Sequence, residues 1–183
     1  MQRISAIDPT QATGKSKQLL DGVQAKLGIT PNLMKTLATA PAALEAYLNF
    51  NGALSTGVLD AKFREQIALT VAQANSCEYC LSAHSAIGKM VGLKPEEIES
   101  SRESRSADSK RDAGLKFAQA IVVQRGELSD SAVENVRKAG YSDGEITEIV
   151  ANVALNIFTN YFNHIARTDV DFPRVSPTLM KTA

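Results

Sequence analysis

The sequence predicts an all-α fold, and three observations carry that expectation. Apolar residues recur at three- and four-residue spacings along most of the chain. No stretch alternates apolar and polar residues for long enough to make a strand. The periodic segments are also bracketed by helix-starting and helix-stopping residues.

Thr10 is placed to cap a first helix running to about Lys26, with Gly28 just past its end. Pro31 opens a short helix from Asn32 to Ala38, and Pro41 opens another to about Ala53, proline being tolerated in a first helical turn. Asp60 is an N-cap for a helix from Ala61 to about Asn75. A break at Asn75-Ser76 precedes a helix that starts at the two cysteines and closes at Gly92. Pro95-Glu96-Glu97 starts a short helix with an acidic first turn. Residues 100–109, SSRESRSADS, have no apolar period and read as a solvated connector. Asp108 then caps a helix to about Gln124, and Ser129 starts another that stops at Gly140. Ser142-Asp143-Gly144-Glu145 is a capping box opening a long helix to about Ala166.

At 183 residues, with 44% apolar and 22% charged side chains, the chain has the size and composition of one globular domain, 1–183. Twenty basic and twenty acidic residues cancel, which removes the field that nucleic acid or an anionic membrane would need. There is no apolar run near 18 residues and no apolar h-region at the N-terminus, so a cytoplasmic protein is expected, with neither membrane nor nucleic-acid partners. Two cysteines three apart cannot staple a distant loop, and in such a chain they point to catalysis or metal binding.

The chemistry concentrates in Glu65 to His84, EQIALTVAQANSCEYCLSAH. Cys77, Cys80 and His84 stand at i, i+3 and i+7, one stripe of a helix, and Gly88 continues it with room for close packing. Unpaired N–H groups and the helix dipole favour a thiolate in a first turn. Two cysteines at this spacing can also close a local disulfide, so an oxidised sulfur is resolved without a second protein. Glu65 has Ala68, Leu69 and Ala72 on its side of the helix, which points it inward. Tyr79 is either packing or a hydroxyl donor beside a sulfur. Two other readings compete: the thiols as small core side chains, and a zinc site built from Cys77, Cys80, His84 and Glu65. No second C-x-x-C or H-x-x-x-H completes such a site, and no metal or cofactor is expected. His164 reads as a helix-terminal cation. Asn152, Asn156, Asn160 and Asn163 form an amide stripe suited to buried or intersubunit polar groups.

The pattern E-x11-C-x-x-C-x3-H resembles the AhpD-like alkylhydroperoxidases of the carboxymuconolactone decarboxylase superfamily. The likeness has its core at about 43–120, and an extension at about 129–183, expected to be helical, resembles the longer peroxidase-related members through YSDGEITEIV and TNYFNHIARTDVDFP. The resemblance implies an all-α homo-oligomer, trimer or hexamer, acting on a hydroperoxide. It implies that Cys80 attacks the peroxide, that Cys77 resolves the sulfenic acid, and that Glu65 and His84 relay protons. A dithiol would return the electrons, and a lipoyl protein is the family's implication. One departure stands out: the well-known AhpD proteins have histidine between the cysteines where this chain has Tyr79, whose ordinary pKa near 10 makes it a poor proton shuttle. The alternatives are a lactone decarboxylase-type lyase, which does not rely on a C-x-x-C, and a non-enzymatic redox-sensing helical oligomer.

Overall fold

The computed structural model describes residues 1–178, and among these there are nine helices and no strand. The helices are α1 (Gly14–Leu27), α2 (Asn32–Leu37), α3 (Pro41–Leu54), α4 (Ala61–Ala74), α5 (Glu78–Met90), α6 (Pro95–Arg102), α7 (Ser109–Val123), α8 (Asp130–Lys138) and α9 (Asp143–Ala166). None of them is long and apolar enough to cross a membrane.

Most boundaries follow the local chemistry the sequence shows. Asp60 accepts from the Phe63 amide, Asp108 accepts from the Arg111 amide, and Ser142 and Glu145 form both halves of a capping box. Gly28 ends α1 in the left-handed conformation. The first helix is a correction. Thr10 is not its cap but lies in an Asx turn, its amide and hydroxyl both on Asp8 Oδ1, and α1 begins three residues later with Thr13 at the N-cap.

Helix α4 is the centre of the molecule, packed against α5, α6, α7 and α9. Its residues from Gln66 to Gln73 are all buried. Phe63, Ile67 and Val71, four residues apart, face a core completed by α7, α8 and α9. Leu69 and Ala72 face a second core shared with α1, α2, α3 and α5. Buried on more than one face, α4 supplies both cores at once, and its buried Gln66, Thr70 and Gln73 are hydrogen-bonded to Arg111, the Ser101 carbonyl and the Thr178 carbonyl. Gly114 of α7 lets the pair close up: a Cβ there would sit 2.7 Å from Phe63 Cζ and 2.8 Å from Tyr141 Cζ.

Two expectations about polar segments are overturned. The stretch 100–109 is not simply a solvated connector, since Ser101, Arg102 and Ser104 are buried. Arg102 bonds Gln73, Glu99 and the Ser176 carbonyl, the Ser101 hydroxyl donates to the Glu97 carbonyl and the Ser101 carbonyl accepts from Thr70, whereas the buried Ser104 hydroxyl has no hydrogen-bond partner. The C-terminal extension is helical only through Ala166. From 167 to 178 it runs as an irregular strap across α5, with Val175 N on Ser82, Arg174 on Glu78 and Phe172 edge-on to Tyr79. The remaining five positions of the expected extension, 179–183, lie outside the described residues.

Candidate active site

The turn between α4 and α5 sets the position of the thiols. Ser76 takes a left-handed φ of 55°, unusual for a residue with a Cβ. Its amide bonds Gln73 O and the Cys77 amide bonds Ala72 O, the paired bonds of a Schellman ending. The chain thus reverses into α5 with Cys77 at the N-cap and Cys80 in the first turn, where the Cys80 amide points at Cys77 Sγ at 3.4 Å.

The two sulfurs lie 2.7 Å apart as free, buried thiols, with Cys77 donating to Cys80. From the far side, Asn163 Nδ2 of α9 donates to Cys80 Sγ at 3.2 Å. Asn75 Nδ2 holds Asn160 Oδ1 at 3.0 Å, which leaves the Asn160 Nδ2, buried and without a hydrogen-bond partner, as a further dipole near the sulfur. Burial alone would push the Cys80 thiol up. The hydrogen bonds from Cys77 and Asn163, with the polar side chains of Asn160 and Thr159 close by, outweigh it and hold Cys80 below the ordinary thiol range. Cys77 moves the other way: the hydrogen bond it gives Cys80, its burial and the Cys80 charge all push it well up. Of the two, Cys80 is therefore the more readily ionised sulfur.

Glu65 and His84 meet as the sequence suggests, with Oε2 2.8 Å from Nδ1 and about a fifth of each side chain exposed. Burial favours a neutral imidazole, but the Glu65 charge and hydrogen bond overcome it and hold His84 above its usual value. Beside them is a cavity of about 470 Å³ whose walls include Cys80, His84 and Glu65 but not Cys77. Its other walls, among them Val23, Met34, Leu48 and Leu155, are largely apolar.

Tyr79 also lines the cavity, but its hydroxyl accepts from the Leu33 amide at 3.0 Å and stands by Asp171. It packs α5 against α2 and the strap and makes no hydrogen bond to a sulfur. His164 sits in the last turn of α9 and bonds the Asn75 carbonyl at 2.9 Å, which closes the end of α4. The four side chains weighed as zinc ligands pair off with one another, and no group of three His, Cys, Asp or Glu converges to hold a metal among the described residues.

The carboxymuconolactone decarboxylase family model matches residues 41–120, which contain Glu65, both cysteines and His84. A crystal structure from Ralstonia eutropha JMP134, described as a peroxidase-related protein with an alkylhydroperoxidase AhpD core, superposes with a TM-score of 0.84 at 25% identity, over 93% of this chain and 92% of that one. A peroxidase-related protein from Silicibacter sp. TM1040 gives 0.78 at 25% identity, over 91% and 92%. The family-model match and these neighbours together support a place in the AhpD/carboxymuconolactone decarboxylase superfamily.

Proteins that share this fold differ in what they do. The debrominase Bmp8, solved in complex with 2,3,4-tribromopyrrole, shares the fold with a TM-score of 0.78 at 19% identity, over 92% and 91%. An uncharacterized protein of Haemophilus influenzae is 52% identical over 46 residues, which span 25% of this chain and 41% of that protein.

Three residues of this AhpD-like site escape a reading of the motif. Asn163 belongs to the amide stripe, and only the folded chain shows it reaching the sulfur. Tyr47 of α3 lines the cavity, and burial with the nearby Glu65 and Cys80 charges pushes its phenol up. Arg64, next to Glu65 in sequence, lines it too.

Proposed function

We propose that the protein is a thiol-dependent peroxidase of the alkylhydroperoxidase type. The observation that carries this reading is the asymmetry of the pair: Cys80 faces the cavity under donated hydrogen bonds, and Cys77 lies behind it holding a proton. The Cys80 thiolate attacks the terminal oxygen of R–O–OH, the O–O bond breaks, and Cys80 becomes a sulfenic acid as RO⁻ leaves. RO⁻ takes a proton to give the alcohol, with His84, charged by its pairing with Glu65, as donor and the Tyr47 hydroxyl in reach of the same space. Cys77 then attacks the sulfenic sulfur, its proton leaves with the hydroxyl as water, and a Cys77–Cys80 disulfide forms. A dithiol restores both thiols, with a lipoyl protein as the proposed donor and the cytoplasm as the proposed compartment.

Titration of free thiols tests this. One equivalent of organic hydroperoxide is expected to remove two thiols per chain, and a dithiol to restore them and sustain turnover. Thiols that survive the peroxide unchanged would sink the reading.

A second reading has one observation in its favour: the apolar cavity also suits a halogenated aromatic ring, and the fold is shared with a debrominase. Two-electron reduction of a carbon–bromine bond would end in the same disulfide. Bromide release from tribromopyrrole, set beside alcohol formation from a hydroperoxide, separates the two.

The protein is also proposed to be a homo-oligomer. Val150, Phe158, Tyr161 and Ile165 are exposed along one stripe of α9, more apolar surface than a helix leaves to water on its own.

A further inference from the structure

Arg64 stands on the wall of the Cys80 cavity without an anion of its own. It gives Nη1 to the Leu59 carbonyl and forms no ion pair with a carboxylate among the described residues. Its sequence neighbour Glu65 is engaged by His84 at 2.8 Å. The side chain is only partly exposed, and a guanidinium drawn out of water beside apolar walls gains from an anion with two oxygens to match its fork. The exposed rim adds a second cation, Lys26 of α1, together with Asn51 and Ser55 of the α3 end.

The size of the space speaks to the same point. At about 470 Å³ it lies in the range of sites that enclose whole organic ligands. A water-sized oxidant occupies only about 30 Å³ and gains nothing from apolar walls. The cavity thus has a nucleophilic sulfur, an apolar middle and a cation available on its wall.

We infer that the substrate is an organic hydroperoxide with an apolar body and a carboxylate, the carboxylate held by Arg64 and the peroxide presented to Cys80. This rests on the peroxidase reading for its chemistry but not for its recognition. Binding of unreactive analogues to the reduced protein tests it by titration calorimetry. Octanoate is expected to bind about tenfold or more tightly than octanol, the usual worth of a charge-assisted hydrogen bond. That preference should vanish in Arg64→Met and largely persist in Arg64→Lys. Equal affinities, tighter octanol, no binding of either, or a preference that survives Arg64→Met would overturn the inference. A protein that prefers octanoate yet consumes no hydroperoxide would keep the anion site and lose the peroxidase reading.

Discussion

Asn163 reaches across from α9 to place its amide 3.2 Å from Cys80 Sγ, while its own Oδ1 is buried without a hydrogen-bond partner. The contact joins the last helix to the first turn of α5 at the sulfur proposed to attack the peroxide. It also supplies, by a neutral dipole, stabilisation that the sequence between the cysteines does not, since Tyr79 points elsewhere.

The first prediction follows from that contact. Asn163→Ala removes a donor to a thiolate, which is worth about 1.5–3 kcal/mol. Alkylation of Cys80 by iodoacetamide at pH 7 should slow by roughly 10- to 100-fold, and its pH profile should move to higher pH. A profile that stays in place would show that the amide only fills space.

Glu65→Gln should keep the fold and slow turnover by about 10² to 10⁴, the usual range for a general acid–base group. It should also lower the His84 pKa, because burial then acts against no carboxylate. The sign for stability follows from the raised His84 value. The pairing contributes in full below the unfolded value of 6.5 and is lost as pH rises through the folded value. Imidazole NMR titration of both proteins gives the shift directly, and an unmoved His84 would remove Glu65 from the relay.

Gly114→Ala tests the close approach of α7 to α4. Alanine gains about 0.5–1 kcal/mol of helix propensity. Its Cβ, however, would press on two buried rings at under 3 Å, and overpacking of this kind costs about 1–3 kcal/mol. Packing should win, so the urea midpoint should fall; a rise would mean that Phe63 and Tyr141 move apart freely.

Phe158→Glu places a charge in the exposed stripe of α9, where Phe158 is 41% exposed and Tyr161 is 54% exposed. Light scattering should show smaller particles than the wild type, with helical content unchanged. Wild-type protein that is already monomeric at micromolar concentration would exclude the assembly.

What the sequence makes legible here is what local chemistry decides. Asp60, Asp108 and Ser142 cap helices because each cap needs only residues within one turn. Cys77, Cys80 and His84 gather because α5 fixes their spacing, and Glu65 joins them because α4 packs directly on α5. Thr10 is a good cap on paper, but its amide and hydroxyl are taken by Asp8 in an Asx turn, and the helix begins only after Thr13. Other features depend on partners far along the chain. Arg102 is buried because Gln73 and the strap satisfy it, and Asn163 becomes part of the site because α9 passes behind Cys80. Tyr47 lies 33 positions before Cys80, and no periodicity links them. The serine-rich composition of 100–109 misleads because hydroxyls are as content on a buried carbonyl as in water, provided the bond forms.

The most direct test of the account is where the first oxidation lands. Cys77→Ser and Cys80→Ser proteins each receive a single equivalent of organic hydroperoxide, followed by a sulfenic-acid trap and mass spectrometry. Trapped adduct on Cys80 in Cys77→Ser, with no peroxide reaction in Cys80→Ser, is the predicted result. Adduct on Cys77 in Cys80→Ser would contradict it and reverse the roles of the two sulfurs.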